Sequence, residues 1–106
     1  MADDVQSKID GEVKNNRVMV FMKGTPDFPQ CGFSDHTIKI LRSYDAQFGS
    51  YDVLSDPGVR EGIKQYSNWP TIPQVYIDGK FVGGCDIVNE LHERGELGAM
   101  LKPGEE

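Results

Sequence analysis

The chain has 106 residues, 38 % of them hydrophobic and 26 % charged, and 17 acidic against 11 basic side chains give a formal net charge of −6. That length suits one compact domain and leaves no room for a second, while the composition excludes both a disordered chain and a membrane protein. An acidic field repels phosphate polymers and anionic headgroups, which argues against nucleic acids and membranes as partners.

Val5, Ile9 and Val13 recur at four-residue spacing and predict an amphipathic helix over Asp4 to Lys14, with Asp3 and Asp4 at the end that favours acids. Asn15-Asn16 breaks it. Arg17 to Met22 is then a continuous apolar run of strand formers, as a strand covered on both faces requires. Lys23 to Gln30 holds two prolines and a glycine and reads as an irregular loop that delivers Cys31. From Ser34 onward, Ile38, Leu41, Tyr44 and Phe48 lie at helical spacing, with Ser34 or Asp35 suited to start the helix.

Ser50 to Leu54 alternates and predicts a second strand. Asp56-Pro57 supplies an N-cap and a first helical proline for a helix carrying Val59, Ile63 and Tyr66. Gln74 to Ile77 and Lys80 to Val82 flank Asp78-Gly79, a strong hairpin signal. Gly83-Gly84-Cys85-Asp86 leads into a last helix with Ile87, Val88 and Leu91, ended by Gly95, and Leu97 to Leu101 adds a turn. The acidic end, Gly104-Glu105-Glu106, reads as a solvated tail. The β-α-β half demands a parallel pair and the closing hairpin an antiparallel one, so the expected fold is α/β, a four-stranded mixed sheet flanked by helices.

The start, Met1-Ala2-Asp3-Asp4, has neither a basic nor an apolar targeting region. The two cysteines, Cys31 and Cys85, are too few for a disulfide framework, which favours a reducing compartment; a single bridge between them stays open, because it depends on their separation in space. Cys31 follows a strand end, precedes a helix whose unpaired N–H groups favour a thiolate, and shares its loop with Lys23, so a lowered pKa is expected. Ser34 stands where a Cys-x-x-Cys pair would have its second thiol, so an outside thiol must resolve any mixed disulfide. Cys85 also begins a helix, and both a resolving role and a packed, inert one remain open for it. His36 lacks the second paired spacing of a zinc site, His92 reads as a helix-surface residue, and Trp69 as packing beside its Pro-Thr-Ile-Pro turn. Gly83-Gly84 lacks the spacing of a dinucleotide loop.

Cys31-Gly32-Phe33-Ser34, Trp69-Pro70-Thr71-Ile72-Pro73-Gln74-Val75 and Gly83-Gly84-Cys85-Asp86, three motifs in order, closely resemble the single-domain monothiol glutaredoxins of the CGFS type. The likeness runs from about Val18 to Leu101. It implies a thioredoxin-like fold, a cis peptide before Pro73, and a glutathione site in which Ile72 offers its backbone to the tripeptide. It further implies that Lys23 and Arg60 hold one end of glutathione and Gly84-Cys85-Asp86 the other, with Phe33, Thr71 and Pro73 beside them. The chemistry agrees, since cations pair with carboxylates and helix N-terminal amides bind anions. Lys64 is a third cation near the same thiol.

A four-thiolate iron–sulfur site cannot be completed by one such chain. Two copies of Cys31 and two glutathione thiolates reach the count, and this is the [2Fe-2S]-bridged homodimer that the resemblance implies, with a monomeric apo form, iron–sulfur assembly and client proteins as partners, and a mitochondrial matrix location with the cytoplasm as alternative. The leading reading is therefore a cluster-binding transfer protein with secondary catalysis. The rival is a glutathione-dependent thiol–disulfide oxidoreductase, in which Cys31 attacks a glutathionylated protein. A third, an interaction module that binds partners through the Cys31 face, would not need the thiol.

Overall fold

The computed structural model describes residues 2–102; the acidic end at Gly104-Glu105-Glu106 lies outside them, as does the side chain of Asp3. Five helices and four strands follow in the expected order: α1 (Ala2–Asn15), β1 (Val18–Met22), α2 (Gly32–Ser43), β2 (Gly49–Asp52), α3 (Pro57–Ser67), β3 (Gln74–Ile77), β4 (Lys80–Gly83), α4 (Cys85–Glu93) and α5 (Leu97–Leu101). A single 3-10 turn, Val53–Ser55, follows β2. The strands form one sheet in the order β2-β1-β3-β4, with β1 parallel to β2 and antiparallel to β3, and β3 antiparallel to β4.

All five residues of β1 are buried. Val18, Val20 and Met22 point with Val75 and Ile77 into a core closed by α2, α4 and α5. Met19 and Phe21 point with Tyr76 into a second core closed by α1 and α3. Successive strand residues face opposite sides, so a strand covered twice has no position left for a polar side chain.

Expected boundaries move at both ends of α2 and at the end of β2. Helix α2 begins at Gly32 with Cys31 as its N-cap, and it ends at Ser43 instead of running on to Phe48. Asp45 takes a left-handed conformation (φ 57°) and donates its N–H to the Arg42 carbonyl at 3.0 Å, while the Ala46 N–H reaches Leu41 at 3.3 Å. These two bonds close the helix end as a Schellman motif, with aspartate at the position where glycine is the usual signal. Strand β2 stops at Asp52, whose side chain accepts the Leu54 N–H at 2.9 Å and turns Val53 and Leu54 out of the sheet. The hairpin is as expected: Asp78 and Gly79 both have positive φ, 55° and 78°, the pattern of a type I′ turn.

Helix α1 is fastened to α3 by polar ties. Gln6 donates to the Gly62 carbonyl at 2.9 Å and Tyr66 donates to Asp10 at 2.7 Å. Asp56, the N-cap of α3, accepts the Val59 N–H at 3.2 Å, the Tyr51 hydroxyl at 2.6 Å and the Lys8 ammonium at 3.0 Å. Among the described residues no helix is long and apolar enough to cross a membrane.

The Tyr51 hydroxyl, then Lys8 and the Val59 N–H, lower the Asp56 carboxyl from 3.8 to about 2. A lowered folded-state pKa gives stability that is complete above the ordinary carboxylate value and is lost as pH falls through the folded value. Asp56→Asn should therefore melt below wild type near neutral pH. In thermal unfolding at a series of pH values the gap should close between pH about 4 and about 2.

Candidate functional site

Strand β1 ends at Met22, and the loop after it is held in shape by its own backbone. Gln30 donates to the Lys23 carbonyl at 2.9 Å, and Thr25 and Phe28 exchange N–H to carbonyl bonds of 3.3 and 3.0 Å. Gly24 lies at φ 90°, and a side chain there would meet the Phe28 carbonyl at 2.5 Å, so a larger residue would open the loop. The loop sets Cys31 as the extended N-cap of α2. Ser34, fully buried in the first turn, accepts the Lys23 N–H through Oγ at 3.1 Å, tying the strand end to the helix start.

This position acts on the thiol. The backbone N–H of Ser34 is the largest influence holding the Cys31 pKa below its ordinary value; burial opposes it, and the Phe33 N–H, the Lys23 charge and the Ser34 hydroxyl add to the lowering. Helix N-terminal N–H groups have no partner within the helix and point at whatever caps it, so a thiolate there gains hydrogen bonds that a thiol does not.

Beside Cys31 opens a cavity of about 460 Å³. Its walls hold all ten residues singled out from the sequence. Lys23 and Phe33 come from the Cys31 side, Arg60 from α3, Thr71, Ile72 and Pro73 from the loop before β3, and Gly84, Cys85 and Asp86 from the start of α4. The Ile72-Pro73 bond is cis. Phe33 is exposed. Gly84 is the N-cap of α4, and a side chain on it would stand 3.2 Å from the Pro73 carbonyl and 3.3 Å from Trp69 Nε1, so the α4 N-terminus packs directly on the loop. Cys31 and Cys85 are both free thiols on this one cavity.

Four lining residues were not among those ten: Lys64, Trp69, Pro70 and Ile87. Lys64 lies one helical turn after Arg60, and that spacing alone puts both cations on one face of α3. Trp69 packs on Phe81 with ring centroids 5.5 Å apart. The other singled-out residues take structural places: His36 Nε2 lies 3.0 Å from Asn89 Oδ1, bridging α2 and α4, and Nδ1 of exposed His92 lies 2.6 Å from the Tyr44 hydroxyl.

Three cations, one acid and a helix N-terminus around a thiol make an anion site with a nucleophile in its wall. Among the described residues no three His, Cys, Asp or Glu side chains are grouped to hold a metal ion.

The glutaredoxin family profile matches residues 18–82. The chain belongs to the glutaredoxin family. A Synechocystis protein named an uncharacterized monothiol glutaredoxin is 54 % identical over 96 % of this chain and 95 % of its own length. The mitochondrial glutaredoxin-related protein 5 of Danio rerio is 53 % identical over 87 % of this chain and 60 % of its own. The mitochondrial monothiol glutaredoxin-5 of Saccharomyces cerevisiae is 44 % identical over 96 % and 70 %. Among solved structures, a buckwheat glutaredoxin in complex with glutathione superposes with a TM-score of 0.85 at 27 % identity, covering 94 % of this chain and 89 % of that one. The fold of this monothiol glutaredoxin is accordingly thioredoxin-like.

Alkylation of Cys31 followed against pH should show a midpoint below about 8.5, the value of a free cysteine. Ser34→Ala removes the hydroxyl that faces the thiol and should move the midpoint upward; an unchanged midpoint would contradict its part in the lowering.

Proposed function

We propose that this glutaredoxin binds glutathione in the cavity beside Cys31 and, as a homodimer bridged by a [2Fe-2S] cluster, carries that cluster as cargo in iron–sulfur assembly. The observation that supports this most is the pairing of a stabilised thiolate with a cationic cavity that has no second thiol in the first turn of α2, where Ser34 is buried instead. Glutathione is a short extended peptide with a carboxylate at each end. In this reading Lys23 and Arg60 take one carboxylate, and the N–H groups at Gly84, Cys85 and Asp86 take the other. The Ile72 backbone pairs with the peptide between, and Phe33, Thr71 and Pro73 wall its sides. The glutathione complex of the buckwheat relative supports the ligand.

Cys31 fits the role of one thiolate ligand per chain, because the residue is half-buried on the cavity and its thiol is held toward the ionised form. Two chains and two glutathione molecules would supply the four thiolates such a cluster takes. Two of those ligands are small molecules, and their dissociation opens the cluster to a receiving protein. Relatives named for mitochondria support a matrix location, with the cytoplasm as the alternative.

The lowered Cys31 pKa favours a second reading, in which the thiolate attacks the glutathione sulfur of a protein mixed disulfide. A Cys31–glutathione disulfide then forms and the protein leaves as its thiolate. A second glutathione thiolate attacks the bound glutathione sulfur, releasing glutathione disulfide and restoring the Cys31 thiolate.

Anaerobic reconstitution with iron, sulfide and glutathione, read by visible absorption, iron content and native mass, separates the two. The carrier reading predicts a coloured dimer with two irons, lost in Cys31→Ser and without glutathione. A colourless monomer that turns over a glutathione mixed disulfide would favour the oxidoreductase.

A further inference from the structure

The loop Trp69–Pro73 forms one wall of the cavity and has no regular structure of its own. Its carbonyls have no helix or strand ladder to bond into and need partners elsewhere. Gln74, the first residue of β3, supplies them. Its side chain is fully buried, and Nε2 donates to the carbonyls of Trp69 and Thr71, each at 3.1 Å. Its Oε1 accepts the Tyr76 hydroxyl at 2.9 Å. Two carbonyls facing one amide fix which end is nitrogen, since only the NH₂ group can donate to both. Tyr76 is itself held by packing on Phe21 and Phe81, at centroid distances of 5.8 and 5.4 Å. The amide is thus anchored at its oxygen to the sheet and clamps the loop with its nitrogen.

We propose that Gln74 is a positioning residue for the glutathione cavity: by donating to the Trp69 and Thr71 carbonyls it fixes the backbone that presents Ile72 to the ligand. This rests on the glutathione reading given above. Gln74 touches no ligand, and its effect passes through the loop.

Glutamate tests this with nearly unchanged shape. Its ionised form places two acceptors against two carbonyls, whereas its protonated form recovers one donor, and burial raises the carboxyl pKa. The groups around it do not confuse the reading. Tyr76 and Tyr66 are both raised, Tyr66 to about 12, and Asp10 beyond Tyr66 is lowered. Lys23, Arg60 and Lys64 across the cavity are common to variant and wild type.

The experiment is the equilibrium between Cys31 and a glutathione redox buffer, with the site of modification mapped by mass spectrometry. It is expressed as the ratio of each variant to wild type, which cancels the titration shared by Cys31 and glutathione. Gln74→Glu should form the mixed disulfide roughly tenfold less favourably at about pH 8 and return to within about threefold of wild type at about pH 5. Gln74→Met, which fills the space without donors, should show the loss at both pH values. In Gln74→Met the Trp69 amide, which donates to Ser67 Oγ at 3.1 Å and to the Lys64 carbonyl at 3.2 Å in the intact loop, should exchange faster with solvent. Wild-type behaviour of Gln74→Glu at about pH 8, or a loss that pH leaves unchanged while near-UV dichroism shows an intact fold, would overturn the proposal. If wild-type Cys31 takes up no glutathione, the binding reading falls, and Trp69 exchange alone then decides whether Gln74 holds the loop.

Discussion

The rest of the site depends on a helix N-terminus capped by a cysteine. An uncapped first turn leaves backbone N–H groups without partners, and serine, threonine or aspartate usually supplies the acceptor. Here the capping residue is Cys31, whose side chain makes no capping hydrogen bond to the first turn. A thiol is a poor acceptor and a thiolate a good one, so the helix gains most from the ionised form. The same arrangement that prepares a nucleophile thus also completes the helix. Ser34, buried where a second thiol would stand, locks the turn to the end of β1 and leaves Cys31 without a partner in its own turn.

Three distant segments must meet at that sulfur, and the sheet order brings them together. Strand β1 lies inside the sheet between β2 and β3, so the loop after β1 and the loop before β3 emerge side by side. The β3-β4 hairpin then returns the chain so that α4 starts on the same edge, with Gly84 packed on the Pro73 carbonyl. Helix α3 adds Arg60 and Lys64 to the cavity, and α1 fixes α3 through Gln6, Asp10 and the Asp56 cap. A chain with net charge −6 therefore gathers Lys23, Arg60 and Lys64 on the cavity beside one thiol, a local positive field that the overall charge does not suggest.

Most of this was legible from the sequence for identifiable physical reasons. Asp56-Pro57, Asp78-Gly79 and the buried run of β1 each specify one local structure, and each stands as read. The ten residues chosen for the site all line one cavity because they come from motifs at loop and helix starts, which the fold gathers on one edge. The end of α2 was not legible: Tyr44 and Phe48 keep the helical spacing, and the aspartate that ends the helix carries no glycine signal. Lys64, read from the sequence as a third cation near the thiol, lines the cavity one helical turn after Arg60. Gln74 was hidden for a different reason, since a polar residue at a strand start reads as surface until its three partners are seen.

The most direct test is the solution structure of the protein after reaction with glutathione disulfide, with the site of attachment left open. The account predicts nuclear Overhauser contacts from the tripeptide to Ile72 and to the amides of Cys85 and Asp86, with its other end beside Lys23 and Arg60. Glutathione lying outside the cavity across the exposed face of α2, or attached to Cys85 in place of Cys31, would contradict it.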